Sequence, residues 1–133
     1  IDYDYGLEGH SDADVLIHAI MDALLGAAAM GDIGQHFPDN DEKFKDINSR
    51  KLLRIVVGKL KSNNYAVGNI DATIICESPK MQLYINQMTK NISSDCLCDL
   101  NNINIKATTT EKLGFIGRSE GIAAQAICLI KAV

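Results

Sequence analysis

The chain has 133 residues, the size of one domain, and its 47% hydrophobic content is enough to build a core. A net charge of -4 and a pI near 5.2 give no basic field for a polyphosphate backbone, which excludes nucleic acid as the main partner. A single nucleotide stays open, because metals and backbone N–H groups can neutralise its phosphates. No apolar run reaches the length of a membrane span, nothing at Ile1 reads as a signal peptide, and no membrane role is expected.

The first predicted element is a helix from Asp14 to Met30, with Ser11 and Asp12 as N-caps and Val15, Ala19, Ile20, Ala23, Leu24, Ala27 and Ala28 at helical spacing. The segment from Gly31 to Asp41 holds two Gly, one Pro and three Asp, so it reads as an irregular polar loop. Ser49 caps a second helix whose inner face is Leu52, Leu53, Val56 and Leu60. Tyr65 to Cys76 turns β-branched and reads as a strand. Ser78-Pro79 is an N-cap followed by Pro at the first helical position, opening a helix that carries Met81, Ile85 and Met88 inward. After a turn at Asn101-Asn102, Ile103, Ile105 and Ala107 alternate as a strand leading into Thr108-Thr109-Thr110-Glu111. The run Ile122 to Val133 has the Ala content of a helix, but its alternation favours a strand.

Aromatics are only 5% with no Trp, so Ile, Leu, Val and Ala fill the core, and the abundant Ala suggests close packing of elements or subunits. Cys76, Cys96, Cys98 and Cys128 are scattered in a chain that needs no staples, which suits a reducing compartment. Cys96 and Cys98 form a C-x-C pair without a second pair or a nearby His, and read as small hydrophobes.

Asp14, His18 and Asp22 stand at i, i+4 and i+8, which places an imidazole between two carboxylates on one helix stripe. A carboxylate beside His fixes its tautomer and raises its basicity, as a metal ligand requires, although the same spacing also makes an ordinary solvated face. His10-Ser11, just ahead of that helix, adds a hydroxyl, an imidazole and free N–H groups suited to an anion. The run Lys106-Ala107-Thr108-Thr109-Thr110-Glu111-Lys112 offers hydroxyls for phosphate and a carboxylate for a hard cation; its bland alternative is a capping box of Thr108 with Glu111. Asp32 and Asp39 could accept from sugar hydroxyls or serve only in Asx-turns. His36 shows no partner and reads as a surface residue, and Arg118 with Glu120 reads as a salt bridge.

These strings together resemble the 2-C-methyl-D-erythritol 2,4-cyclodiphosphate synthases of the non-mevalonate isoprenoid pathway. The matching pieces are His10-Ser11-Asp12-Ala13-Asp14 with His18, Asp22-Ala23-Leu24-Leu25-Gly26-Ala27, Gly31-Asp32-Ile33-Gly34, Phe37-Pro38-Asp39 and Pro79-Lys80-Met81. The long run from Lys106 to Phe115 follows, with Gly117-Arg118 and Glu120-Gly121 behind it. The resemblance implies a single α+β domain over 1-133, a mixed β-sheet with helices packed on one face, assembled as a homotrimer around a central channel with active sites between subunits. It implies a phosphorus-oxygen lyase reaction in which 4-diphosphocytidyl-2-C-methyl-D-erythritol 2-phosphate cyclises and releases CMP.

By the same resemblance His18 is a zinc (Zn2+) ligand and Glu111 holds Mg2+ or Mn2+. His10 and Ser11 touch phosphate, and His10 and Thr109 stabilise the transition state. Asp32, Ile33, Gly34, Phe37, Pro38, Asp39, Asn40 and Asp41 line the sugar pocket. Cytidine lies along Cys76, Glu77, Ser78, Pro79, Lys80, Met81 and Gln82, with Ala107 and Thr108 nearby, and Thr110 is a further substrate-binding residue. Phe115 and Arg118 fall near the trimer axis or the pocket, where Arg118 with Glu120 holds an isoprenoid diphosphate. The family completes its zinc site with an Asp-x-His pair on a first strand upstream of the matched part, and no His precedes His10 here. The alternative is therefore a non-catalytic nucleotide or isoprenoid-diphosphate binding trimer that has lost its zinc; a generic zinc hydrolase, releasing inorganic phosphate, is the third reading. The implied setting is the bacterial cytoplasm, or the plastid stroma in a eukaryote.

Overall fold

The computed structural model describes residues 6–38, 40–44, 47–78 and 80–133, with the side chains of residues 6–13 and 44 outside the description. The first helix, α1, runs Gly6–Ala27. It begins about two turns ahead of the expected Asp14, since nothing between Gly6 and Asp14 breaks a helix as Pro would. Ser11 and Asp12 are thus interior residues, not caps. It also stops short of Met30, because Ala29 turns left-handed at φ +57° while Met30 N donates back to Leu25 O at 2.8 Å. The inward stripe is rotated from the expected one. Leu16, Ile17, Ile20, Met21, Leu24 and Leu25 are the buried residues, while Val15, Ala19 and Ala23 lie at the margin and Ala27 is exposed. The larger side chains win the core because each removes more apolar area from water than an Ala can.

A one-turn helix, α2 (Ile33–His36), interrupts the polar loop that follows. Helix α3 (Ser49–Ser62) buries Leu52, Leu53, Val56, Val57 and Leu60. Its cap is Asn48, whose Oδ1 accepts from Arg50 N at 2.8 Å; Ser49, the expected cap, is already the first helical residue. Strand β1 (Tyr65–Ile75) then crosses the middle of the molecule. The next helix does not open at Ser78-Pro79. A 3-10 turn over Met81–Tyr84 comes first, α4 spans Ile85–Cys96, and Pro79 lies outside the described residues. Met81 and Met88 are buried as expected, Ile85 partly.

Strand β2 (Ile103–Thr108) buries Ile103 and Ile105 while Ala107 is exposed, the helical turn α5 spans Gly114–Gly117, and β3 (Ala123–Ala132) is the strand that the alternation of the last run favoured. The sheet order is β2-β1-β3, with β1 parallel to β2 and antiparallel to β3. The parallel pair needs a crossover, and α4 provides it. A bulge between Val67 and Asn69 coincides with Gly68, where a Cβ would stand 2.8 Å from Leu129 O. The helices cover one sheet face, over Val67, Ile70, Ala72 and Ile74. The opposite face carries Asp71, Thr73, Lys106 and Gln125 beside the exposed Ile127 and Leu129. This is an α+β domain with a mixed sheet. Among the described residues no helix is long and apolar enough to cross a membrane.

One buried carboxylate ties the helices together. Asp95 on α4 is 2% exposed and accepts from Arg50 Nε at 2.7 Å and Nη2 at 3.1 Å, with Arg54 Nη1 at 3.5 Å. The Asp95 bond holds the Arg50 guanidinium above its ordinary pKa, against the opposing cost of burial.

Candidate functional site

The carboxyl ends of parallel strands leave backbone groups beyond the last ladder bond, and side chains gather there. In this chain β1 and β2 end together at Ile75 and Thr108, and Cys76 N extends the ladder by donating to Thr108 O at 3.0 Å. Beyond that bond opens a cavity of about 300 Å³ lined by Cys76, Glu77, Lys80, Met81, Gln82, Ala107, Thr108 and Thr109. Two segments far apart in sequence, each singled out for the same nucleotide, thus share one cleft. The Cys76 thiol donates to Ser78 O at 2.9 Å and tightens the turn that forms one wall.

The other wall is the turn after β2. The capping box, the bland alternative for Thr108 and Glu111, is absent; no helix starts there, and the Thr108 hydroxyl donates to Thr109 O at 3.4 Å. Instead Thr109 Oγ1 accepts from Glu111 N at 3.1 Å, and Thr110 Oγ1 donates to Leu113 O at 2.6 Å. Glu111 and Lys112 both adopt left-handed backbone, φ +53° and +64°, at a cost of about 1–2 kcal/mol each for residues with a Cβ. Gly117 packs so closely on this turn that a Cβ there would meet the Lys112 carbonyl carbon at 2.1 Å. Glu111 and Lys112 are exposed. Phe115 follows at 55% exposure, and the Arg118 guanidinium makes a two-bond pair with Glu120 at 3.1 and 3.2 Å, the salt bridge read from the sequence.

The α1 stripe lies apart, and Asp14, His18, Asp32 and Phe37 do not line the cleft. Asp14, His18 and Asp22 are all exposed. Their carboxylates serve other elements: Asp14 Oδ1 accepts from Ser49 Oγ at 2.7 Å, and Asp22 Oδ1 accepts from Ile33 N at 2.9 Å. Asp22 therefore anchors the start of α2, and Asp32 caps it by accepting from Gln35 N at 3.0 Å. Asp41 closes an Asx-turn on Lys43 N at 3.0 Å. Phe37 is buried, Ile33 and Pro38 partly, and Gly34 and Asn40 are exposed. Asp39 lies outside the described residues, as do the side chains of His10 and Ser11. The backbone of His10 and Ser11 runs inside α1, so the free N–H groups expected at a helix start are not theirs.

His36 is the residue that local sequence misjudged. It is half-buried; Nε2 donates to Met30 O at 2.7 Å, which leaves Nδ1 to accept from Lys59 Nζ at 2.7 Å. Lys59 also stands 5.4 Å from the centre of the Phe37 ring. Lys59 comes from α3, so no nearby residue signalled the contact.

Among the described residues no group of three or more His, Cys, Asp or Glu side chains is placed to hold a metal ion. His18 thus brings a single nitrogen donor. None of the four cysteines forms a disulfide. Burial pushes the Cys96 thiol up to about 12 and raises the buried Cys98 and the partly buried Cys128 as well, which disfavours the thiolate at each.

Comparison with known proteins bears on the whole chain. The profile described as the YgbB family matches residues 1–131. A Methylobacillus flagellatus protein named 2-C-methyl-D-erythritol 2,4-cyclodiphosphate synthase is 64% identical over 126 residues, 95% of this chain and 79% of that one. A Clostridioides difficile protein of the same name is 60% identical over 130 residues, 98% of this chain and 81% of its own length. Among solved structures, the bifunctional IspDF of Campylobacter jejuni aligns with TM-score 0.85 and 44% identity, covering 90% of this chain and 32% of that one. A Plasmodium falciparum IspF in complex with CDP aligns with TM-score 0.78 and 34% identity, covering 89% of this chain and 70% of that one.

Proposed function

This chain belongs to the YgbB family, and from that premise we propose how its cleft carries out the reaction of its relatives. The reaction converts 4-diphosphocytidyl-2-C-methyl-D-erythritol 2-phosphate to 2-C-methyl-D-erythritol 2,4-cyclodiphosphate and CMP, a step of non-mevalonate isoprenoid precursor synthesis. The observation that carries this reading is the identity of 64% along 95% of the chain to a synthase of that name.

An oxygen of the substrate's 2-phosphate attacks the β-phosphorus of its own diphosphate; the bond from that phosphorus to the bridging oxygen breaks, and CMP leaves with the electron pair. Because nucleophile and leaving group belong to one molecule, catalysis consists of holding an in-line pose and stabilising crowded negative charge.

The cleft between Cys76–Gln82 and Ala107–Thr109 takes the cytidine, read largely by main chain, with Lys80 and Met81 supplying side chains; the CDP complex of the P. falciparum relative supports this choice of nucleotide. Thr108 and Thr109, which line the cleft, offer hydroxyls to the phosphates, and His10 and Ser11 are assigned to phosphate by likeness to the family. Thr109 and His10 stabilise the charge that develops on the transferring phosphoryl group. Asp32, Ile33, Gly34 and Phe37 to Asp41 line the sugar.

The sugar-lining residues and the nucleotide cleft are separate on one protomer, and the uncovered sheet face carries exposed Ile127 and Leu129. Both observations support a homotrimer with each site shared between subunits and a channel along the axis. Arg118, although paired with Glu120, is the cation available there to an isoprenoid diphosphate. Glu111 is an exposed carboxylate that would suit Mg2+ or Mn2+, and the ion would neutralise diphosphate charge. His18 would contribute one ligand to zinc, but the described residues do not complete a zinc site, and the steps above rest on the chain's own groups.

Separate replacement of His18 and Glu111 by Ala tests the metal assignments. Each is expected to abolish CMP release while the trimer persists in sedimentation analysis. Undiminished turnover in either variant overturns that residue's role, and CMP binding without turnover in the wild type overturns the reaction.

A further inference from the structure

The turn that bears Glu111 is held against the preference of its own residues. Glu111 and Lys112 are left-handed in succession, a conformation that persists only where surrounding bonds fix it. Three of those bonds are local: Leu113 N donates to Thr110 O at 3.0 Å across the turn, and the Thr109 and Thr110 side chains add one each. The fourth comes from 35 residues away: Glu77 Oε1 accepts from Lys112 N at 2.9 Å. Glu77 also lines the nucleotide cleft, so one side chain spans from the wall after β1 to the strained turn after β2.

We propose that Glu77 is a positioning residue of the reaction, whose carboxylate clamps the Lys112 amide and so sets Thr109 and Glu111 in register with the bound nucleotide. The proposal rests on the cleft being the cytidine site. It assigns Glu77 to the shape of the far wall and not to reading the base. The donor is an uncharged amide, so an acceptor oxygen at the same place is what the turn requires. A Gln supplies one and an Ala does not. Without the clamp the Lys112 amide turns to water, the left-handed pair relaxes, and the phosphate end of the cleft shifts while the cytidine end, held by Cys76 and Ser78, keeps its form.

The test compares Glu77→Ala and Glu77→Gln with wild type in three measurements: CMP affinity, steady-state CMP release, and deuterium uptake of the 109–113 segment by exchange mass spectrometry. In Glu77→Ala, kcat is expected to fall about tenfold or more, the loss of one oriented hydrogen bond. Its CMP affinity is expected to stay within about twofold of wild type, and the segment to exchange faster. Glu77→Gln is expected to stay within about threefold of wild type in kcat and to restore slow exchange. Equal losses of CMP affinity and turnover in Glu77→Ala overturn the proposal, because they make Glu77 a base-reading group. Unchanged exchange in Glu77→Ala, or no recovery in Glu77→Gln, also overturns it. If wild type itself fails to release CMP, the assigned reaction fails, and the exchange measurement still decides whether Glu77 holds the turn.

Discussion

Replacing Gly117 by Ala adds one methyl group at the most crowded backbone contact near the cleft. The Cβ would lie 2.1 Å from the Lys112 carbonyl carbon and 2.7 Å from both its Cα and its oxygen. Non-bonded carbons rest at about 3.5 Å or more, so one element has to retreat by about 1.4 Å. The atoms in the way are backbone, and no side chain can swing aside. The backbone of Gly117 itself is not left-handed, so an Ala there is penalised only by the clash. Overpacking of this kind costs about 1–3 kcal/mol of stability. The larger effect falls on the reaction, because Lys112 carries the turn that holds Glu111 and Thr109, and a displacement of about 1 Å at a positioning element costs about a hundredfold in rate. The assay is CMP release in Gly117→Ala, with thermal unfolding to confirm a folded protein. Gly58→Ala is the control: a Cβ at Gly58 meets nothing within 4 Å, and the change should leave turnover intact. Turnover of Gly117→Ala within about threefold of wild type would refute the claim that this turn must be held in place.

Asp22→Ala removes the acceptor of Ile33 N and frees the start of α2; a rise of about fivefold in substrate KM with kcat little changed is expected from steady-state kinetics, the equivalent of about 1 kcal/mol. Lys59→Met removes the donor to His36 Nδ1 and the cation beside Phe37, and the Gly31–Pro38 segment should gain susceptibility to limited proteolysis; unchanged cleavage would show that the contact holds nothing. Burial raises the Cys96 thiol from near 9 to about 12, so the unfolded chain gives up that proton first as pH rises. The stability due to the neutral thiol is complete below pH 9 and lost between pH 9 and 12, at up to about 1.4 kcal/mol per pH unit; urea unfolding of Cys96→Ala should show a shallower alkaline decline than wild type.

Much of the fold was legible because its signals are local. The alternation from Ile122 to Val133 outweighed its Ala content, and the β-branched run after Tyr65 marked the central strand. Where sequence reasoning went astray, distant residues decided. The stripe of α1 was drawn through its alanines, but larger neighbours face the sheet. The starts of α1 and α4 did not follow Ser11 or Pro79, and Asn48, not Ser49, supplies the cap of α3. Of the site, Cys76–Gln82 and Ala107–Thr109 do meet in one cleft, whereas the α1 stripe stands apart from it on this protomer. Lys59 against His36, Ile33 against Asp22 and Arg50 against Asp95 lie 11 to 45 residues away from those side chains, at separations where no periodicity reports them. The Thr108–Glu111 spacing suited a capping box equally well. The left-handed pair that displaced it is bonded to Glu77 and packed against Gly117, both outside the reach of the local pattern.

The central claim is the cyclising transfer, and phosphorus NMR of the products tests it most directly. Incubation with 4-diphosphocytidyl-2-C-methyl-D-erythritol 2-phosphate and a divalent cation should yield the cyclic diphosphate and CMP in equal amounts, with no inorganic phosphate. Inorganic phosphate in place of the cyclic product, or substrate bound and unchanged, would contradict it.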